Sequence, residues 1–419
     1  MARSKNKKSS RKKKSGARSG GKGAARARAA AQTDEPKSRS GATGAGKEPA
    51  AEKESRPRTG SQRKWLLTVA ALAVLAPLVF AGVYFKVSPS RDQVFAGPEV
   101  VLLGADSYYH LRHTRAAANN GIQRYDIGTH YPTGQRSRNA AIFDSIAAIA
   151  ASWTADGDSP SDDEVATALA WLPPIMAGLV LLGLFGVGLA LGSRLLGLTI
   201  AAAAICYPGE MAFKMLLGFG DHHAWEAVLL VIITLALGAA LHVREPRHAA
   251  SWAAGAGAVL AILGLSWAGT PLLLLLFAYS PLLVATIDIA AGRAPTRARH
   301  TGAIATGAFA LITAMAATLS PDSVLVPSLA WLAIAGALGV CAAFGLSAKL
   351  ADWIRGRATV PRLALSLGLA VLPVLALIAA ASAVPAVGAA LEVVFSKVSS
   401  IAEHQGKNLW LQFGPLAAL

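Results

Sequence analysis

A polytopic α-helical membrane protein is what this sequence predicts, and three observations carry the prediction. Apolar residues make up 53% of the 419-residue chain and charged ones only 15%, with a mean hydropathy of +0.45. The apolar residues fall in runs of about 17–25, the length at which a helix crosses a hydrocarbon core. No segment shows the alternation over about ten residues that a membrane β-barrel requires. The expected architecture is therefore all-α, a transmembrane bundle of nine spans over residues 65–419 behind a basic tail over residues 1–64.

The tail holds nearly all of the net charge. Residues 1–64 carry 20 Lys/Arg against 5 Asp/Glu, while the rest of the chain is close to balanced with 20 against 19. Rich in Lys, Arg, Ala, Gly and Ser and without an aromatic residue, it cannot bury enough apolar surface to fold alone and is expected to be disordered. It runs directly into the first apolar stretch, Trp65–Phe85, through Arg63-Lys64. That placement fits a cytoplasmic segment touching anionic lipid headgroups, at about 1 kcal/mol per charge near the surface. Nucleic acid is the competing partner for such a run, and none is expected here. Trp65–Phe85 lies too far behind Met1 to be a cleaved signal peptide and is read as the first span.

Further spans are expected at 166–191, 195–209, 224–241, 250–268, 270–290, 301–319, 324–347 and 361–384. A shorter apolar stretch, Ala140–Trp153, carries Asp144 and is expected to lie along the interface without crossing. Charge decides that point. If the stretch does not cross, every predicted inner loop is basic, with Arg194, then Arg244 and Arg247, then Arg293, Arg297 and Arg299, then Lys349, Arg355, Arg357 and Arg362. If it crosses, those loops face outward, against the positive-inside rule. The segments 86–165, 210–223 and 385–414 are then external, and the N-terminus is cytoplasmic. Cys206 and Cys341 lie in or at the end of apolar runs without ligand-like spacing, so packing is their expected use.

Each external segment contains residues able to bind a metal. Asp106 lies in Gly104-Ala105-Asp106-Ser107-Tyr108-Tyr109-His110, Asp221 in Asp221-His222-His223, and Glu403 in Ser400-Ile401-Ala402-Glu403. Ionisable groups are costly beside lipid, so several on one membrane face point to a functional site. Asp221 and His223 can point into one coordination sphere, and a carboxylate with an imidazole suits Mn²⁺ or a similar divalent ion. Glu226, three residues after His223, can cap the helix or orient a ligand. Taken singly, each motif has a plainer reading: a polar cap for the His pair, an N-cap for Asp106, a solvated carboxylate for Glu403.

Together the motifs resemble a family. Gly-x-Asp followed by Tyr-Tyr-His-x-Arg, then Tyr131-Pro132-Thr133-Gly134, Phe143-Asp144, Gly-Phe-Gly-Asp-His-His-x-x-Glu and Ser-Ile-x-Glu are similar, in order, to the catalytic subunit of oligosaccharyltransferases of the archaeal type. The resemblance covers most of residues 65–419.

It implies the C-type glycosyltransferase architecture and an inverting, metal-dependent transfer of an oligosaccharide from a polyprenyl (dolichyl) phosphate or diphosphate to Asn in Asn-x-Ser/Thr. By that similarity Asp106, Asp221, His223 and Glu403 hold the divalent ion, Mn²⁺ or Mg²⁺. Asp106 and Glu403 act on the acceptor amide, and Lys214 and His222 meet the donor phosphate. The partners implied are the lipid-linked oligosaccharide and the acceptor polypeptide. Lys214 stands where the family commonly keeps Arg, and Ser400 where it more often keeps Thr. Family members also carry further spans and a soluble domain with a Trp-Trp-Asp-x-Gly segment, which does not occur in this sequence. A fragment or shortened homologue is therefore expected. A related transferase with another acceptor, an inactive donor-binding remnant and a transporter are the other readings, the last opposed by ionisable groups that sit in loops rather than at mid-membrane.

Overall fold

Long apolar helices make up most of the described residues. The computed structural model describes residues 59–319, with short breaks at 122–124, 129–131, 137–141, 158, 208 and 267–269, and a few isolated positions beyond. Helix α1 (Thr59–Val87) leads, followed by the short α2 (Arg91–Val94) and by α3 (Ala105–Asn120). A two-stranded antiparallel ribbon, β1 (Tyr125–Asp126) with β2 (Gln135–Arg136), precedes α4 (Ile142–Thr154). Then come α5 (Asp162–Ala190), α6 (Arg194–Cys206), the single turn α7 (Glu210–Phe213), α8 (His223–His242), α9 (Pro246–Ser266), α10 (Thr270–Ala290) and α11 (Thr296–Leu319).

Among the described residues, four helices are long and apolar enough to cross a membrane: Trp65–Val87, Asp162–Ala190, His223–His242 and Pro246–Ser266. Helix α1 begins at Thr59, so residues 59–64, assigned above to the tail, are helical, as is usual where a span extends past the apolar edge. Helix α6 has 13 residues, short for the crossing expected at 195–209. Most of the spans expected at 324–347 and 361–384, and the tail before residue 59, lie outside the described residues. Within the stretch Ala140–Trp153 the described residues belong to the short helix α4 (Ile142–Thr154), whose buried face is Phe143, Asp144, Ala147, Ala148 and Ala151. Cys206 ends α6 exposed rather than packed.

Local chemistry accounts for the ends and contacts of these helices. Ser161 and Glu164 close a capping box at the start of α5, and Asp162 and Asp163 complete an acidic first turn that suits the helix dipole. Small residues let helices approach: a Cβ on Gly188 of α5 would collide with the backbone of Gly197 in α6. Helix α8 packs between α5 and α9, and α9 in turn packs on α11. The Trp225 indole N–H donates to Ser266 Oγ at 3.3 Å, tying α8 to α9. Beneath the loops, Leu111 of α3, Phe143 of α4, Leu169 of α5, Leu217 and Ala224 form one apolar cluster.

Candidate functional site

The segment 214–223 enters α8, and main-chain bonds hold it. Pro174 in α5 has no N–H, so the carbonyl of Ala170 four residues earlier is left without its helical partner. Gly218 N–H donates to it at 3.0 Å. Leu217 N–H donates to Lys86 O at 2.8 Å, one of the carbonyls exposed by the end of α1. In return, Gly218 O accepts from Leu103 N–H at 2.8 Å and Leu217 O from Ser90 Oγ at 2.9 Å. Gly218 has φ +87°, and a Cβ there would overlap Val94, so glycine is required by both conformation and space.

Three residues further on, Asp221 is completely buried. Its Oδ2 accepts from Lys214 Nζ at 3.0 Å and lies 3.7 Å from His223 Nε2. Its Oδ1 lies 2.7 Å from His222 Nδ1 and 3.7 Å from His110 Nε2, yet has no aligned hydrogen-bond donor. Burial alone would raise the Asp221 carboxyl, but the contact with His222 and the charges of His223, His222 and Lys214 outweigh it and hold the group well below the usual carboxylate range. Glu226, one turn into α8 and also buried, faces both imidazoles: Oε2 is 2.9 Å from His223 Nδ1 and Oε1 is 3.3 Å from His222 Nε2.

The residues singled out from sequence fall as follows. Lys214, Asp221, His222, His223 and Glu226 gather in one cluster. Asp106 is exposed in the first turn of α3, whose N-cap is Gly104, so Asp106 itself is not the cap. The Leu103–Gly218 bond joins the stretch that leads into Asp106 to the one that leads into Asp221. Glu403 lies outside the described residues.

Sequence reasoning gave His110 and Asp144 no role of their own, although both lay within quoted motifs. Both are buried, Asp144 Oδ1 is 2.7 Å from His110 Nδ1, and His110 Nε2 is 3.0 Å from His222 Nδ1. The available signal was a carboxylate on the otherwise apolar face of α4. Beside them, buried Asp126 of β1 binds Arg112 and His113 and ties the ribbon to α3.

The donor set fits a divalent cation. Two groups of side chains, His110 with Asp221 and His222, and His222 with His223 and Glu226, each bring ligand atoms within 4.8 Å of one another. The unpartnered Asp221 Oδ1 is a further mark of such a site, since a buried carboxylate oxygen ordinarily has a donor or a cation.

Fold and site together define a helical membrane protein with a buried carboxylate and imidazole cluster at the mouth of one helix. The chain belongs to the oligosaccharyl transferase STT3 family, whose N-terminal model matches residues 74–396. It is 29% identical over 269 residues to the dolichyl-monophosphooligosaccharide–protein glycotransferase AglB of Haloferax volcanii, covering 58% of this chain and 25% of that protein. The chain thus spans about a quarter of the length of that curated relative. Two solved structures of the Archaeoglobus fulgidus oligosaccharyltransferase share the fold. One, with an inhibitory peptide and dolichol-phosphate, has a TM-score of 0.63 at 20% identity and covers 79% of this chain and 39% of that one. The other, with zinc and sulfate, has a TM-score of 0.59 at 20% identity and covers 73% and 40%.

Proposed function

We propose that this chain forms the membrane-embedded donor side of an oligosaccharyltransferase. The reaction moves a glycan from a dolichyl or other polyprenyl phosphate or diphosphate to the side-chain nitrogen of Asn in Asn-x-Ser/Thr, with inversion at the anomeric carbon. The observation that carries this reading is Asp221, an ionised carboxylate with no solvent exposure, ringed by an ammonium and three imidazoles. Such a concentration of charge in a membrane protein is expensive to assemble and marks function. The dolichol-phosphate, peptide and zinc bound by the Archaeoglobus fulgidus relative support the same donor, acceptor and ion class here.

In this reading Asp221 and His223, with Asp106 and Glu403, hold a divalent ion, Mn²⁺ or Mg²⁺. When bound, the ion neutralises negative charge that grows on the leaving phosphate. Lys214 and His222 face that phosphate, Lys214 as a point charge without the fork of a guanidinium. Asp106 and Glu403 accept hydrogen bonds from the acceptor NH₂ and aim its poorly nucleophilic nitrogen at the anomeric carbon. Glu226 fixes the ring of His223 from behind, through the 2.9 Å contact to Nδ1. The site faces outward and the N-terminus inward, as the Arg-rich loops favour, with the basic tail on anionic lipid.

The test is transfer from a dolichyl-phosphate oligosaccharide to a labelled Asn-x-Thr peptide by membranes holding the full chain. Transfer is expected to stop with chelator, to return with Mn²⁺, and to fall below detection in Asp221→Asn. Unchanged turnover in Asp221→Asn sinks the assignment, and so does a wild-type chain that transfers nothing.

A further inference from the structure

The site proposed above pairs Asp221 with His223, whose Nε2 lies 3.7 Å from Asp221 Oδ2, and would leave Oδ1 for another partner. Asp221 Oδ1 looks the opposite way, toward His222 Nδ1 at 2.7 Å and His110 Nε2 at 3.7 Å, and those two nitrogens are 3.0 Å apart. The three atoms form a triangle whose sides bracket about 3.3 Å, the edge expected for nitrogen and oxygen ligands about 2.0 Å from a tetrahedral ion.

Proton positions favour the same conclusion. Asp144 accepts from His110 Nδ1 at 2.7 Å, so that ring carries its hydrogen on Nδ1 and turns the lone pair of Nε2 inward. Glu226 Oε1 stands 3.3 Å from His222 Nε2, on the outer side of that ring, without the alignment of a hydrogen bond. A carboxylate behind each imidazole is the arrangement that fixes the tautomer and raises the basicity of metal-ligating histidines. His110 Nε2 and His222 Nδ1 stand at hydrogen-bond distance beside an unpartnered carboxylate oxygen, so the two rings either share a proton or bind a common cation with Asp221 Oδ1.

We propose that His110, Asp221 and His222 form a second divalent-cation site, separate from the one built on His223, with Asp144 as the residue that positions His110. Two imidazoles and one carboxylate favour a zinc-class ion over Mg²⁺. The site stands on this geometry and does not require the transferase reading. Where both hold, the phosphate contact assigned to His222 is made through the ion that His222 binds.

The test is metal binding by the full chain in detergent, purified with a tag free of histidine. Zinc per chain is measured by mass spectrometry, and Co²⁺ substitution is read from the visible bands of a tetrahedral site. The expected result is a zinc ion that His223→Ala retains and His110→Gln loses, with the cobalt bands following it. Asp144→Asn weakens that zinc about 10–100-fold. His110→Cys gives up the bond to Asp144 but supplies a thiolate, and it restores binding of Cd²⁺, which a purely structural His110 does not predict. Equal zinc in wild type and His110→Gln overturns the proposal. One ion lost alike in His110→Gln and His223→Ala also overturns it, as does a wild type with no ion, whose imidazoles share a proton instead. Peptide transfer is scored separately, so an inactive chain with zinc that depends on His110 sinks the transferase reading and leaves the second site standing.

Discussion

Asp144 Oδ1 and His110 Nδ1 lie 2.7 Å apart, and this one contact joins α4 to α3 directly behind the imidazole that faces Asp221. Both partners are nearly free of solvent, so neither can turn to water when the other is removed. Asp144→Ala is expected to cost about 2 kcal/mol, the range for a buried hydrogen bond with a charged partner. Thermal unfolding in detergent, run in chelator to exclude any contribution from bound metal, should show a lowered midpoint. An unchanged midpoint would mean that the pair does not hold the two helices together.

Lys214 occupies an oxygen of Asp221 that the proposed metal ion would share. Its ammonium is 3.0 Å from Asp221 Oδ2, so the two cations repel when both are present. Lys214→Met should tighten divalent-ion binding about tenfold, or about 1.4 kcal/mol, and weaken binding of the phosphate-bearing donor. Ion titration and donor titration on the same preparation check the opposite signs. Loss of both affinities would show that Lys214 only supports the fold.

Gly218 is confined by its φ of +87° and by the side chains of Val94 and Leu103. Gly218→Ala adds both strain and a collision, and is expected to destabilise the chain by about 1–3 kcal/mol. The variant should also lose metal affinity, because Asp221 sits three residues downstream. Retained stability with wild-type metal binding would show that the segment can adjust.

Ser90→Ala removes the 2.9 Å bond from Oγ to the carbonyl of Leu217 and leaves the rest of the segment attached. A loss of about 1 kcal/mol is expected in the unfolding measurement, with metal binding little changed. A large fall in metal affinity would assign Ser90 a greater share in positioning Asp221 than one bond provides.

The long helices were legible because lipid imposes a simple rule: apolar runs must be helical and of a fixed length. The short helix α4 was legible as a short apolar run that carries Asp144. Asp221, His222, His223 and Glu226 could be associated from sequence because they lie within six residues at a helix entrance. The pairing of His110 with Asp144 was not legible, because it spans 34 residues and depends on how α3 and α4 pack. The attachment of Gly218 to Ala170 was hidden too. Pro174 was visible as an irregularity, but nothing local says which distant N–H the freed carbonyl accepts.

That attachment has a consequence for how the protein can vary. Of the four bonds that hold residues 217–218, three run between main-chain groups and only the one from Ser90 uses a side chain. A main-chain group is present whatever residue occupies the position. Lys86, Leu103 and Ala170 can therefore drift in identity, within the limits of packing, while the entrance to α8 keeps its place. Relatives that have diverged widely in side chains can retain a common frame for the buried carboxylate, with Gly218 and Pro174 as the two positions where that freedom ends.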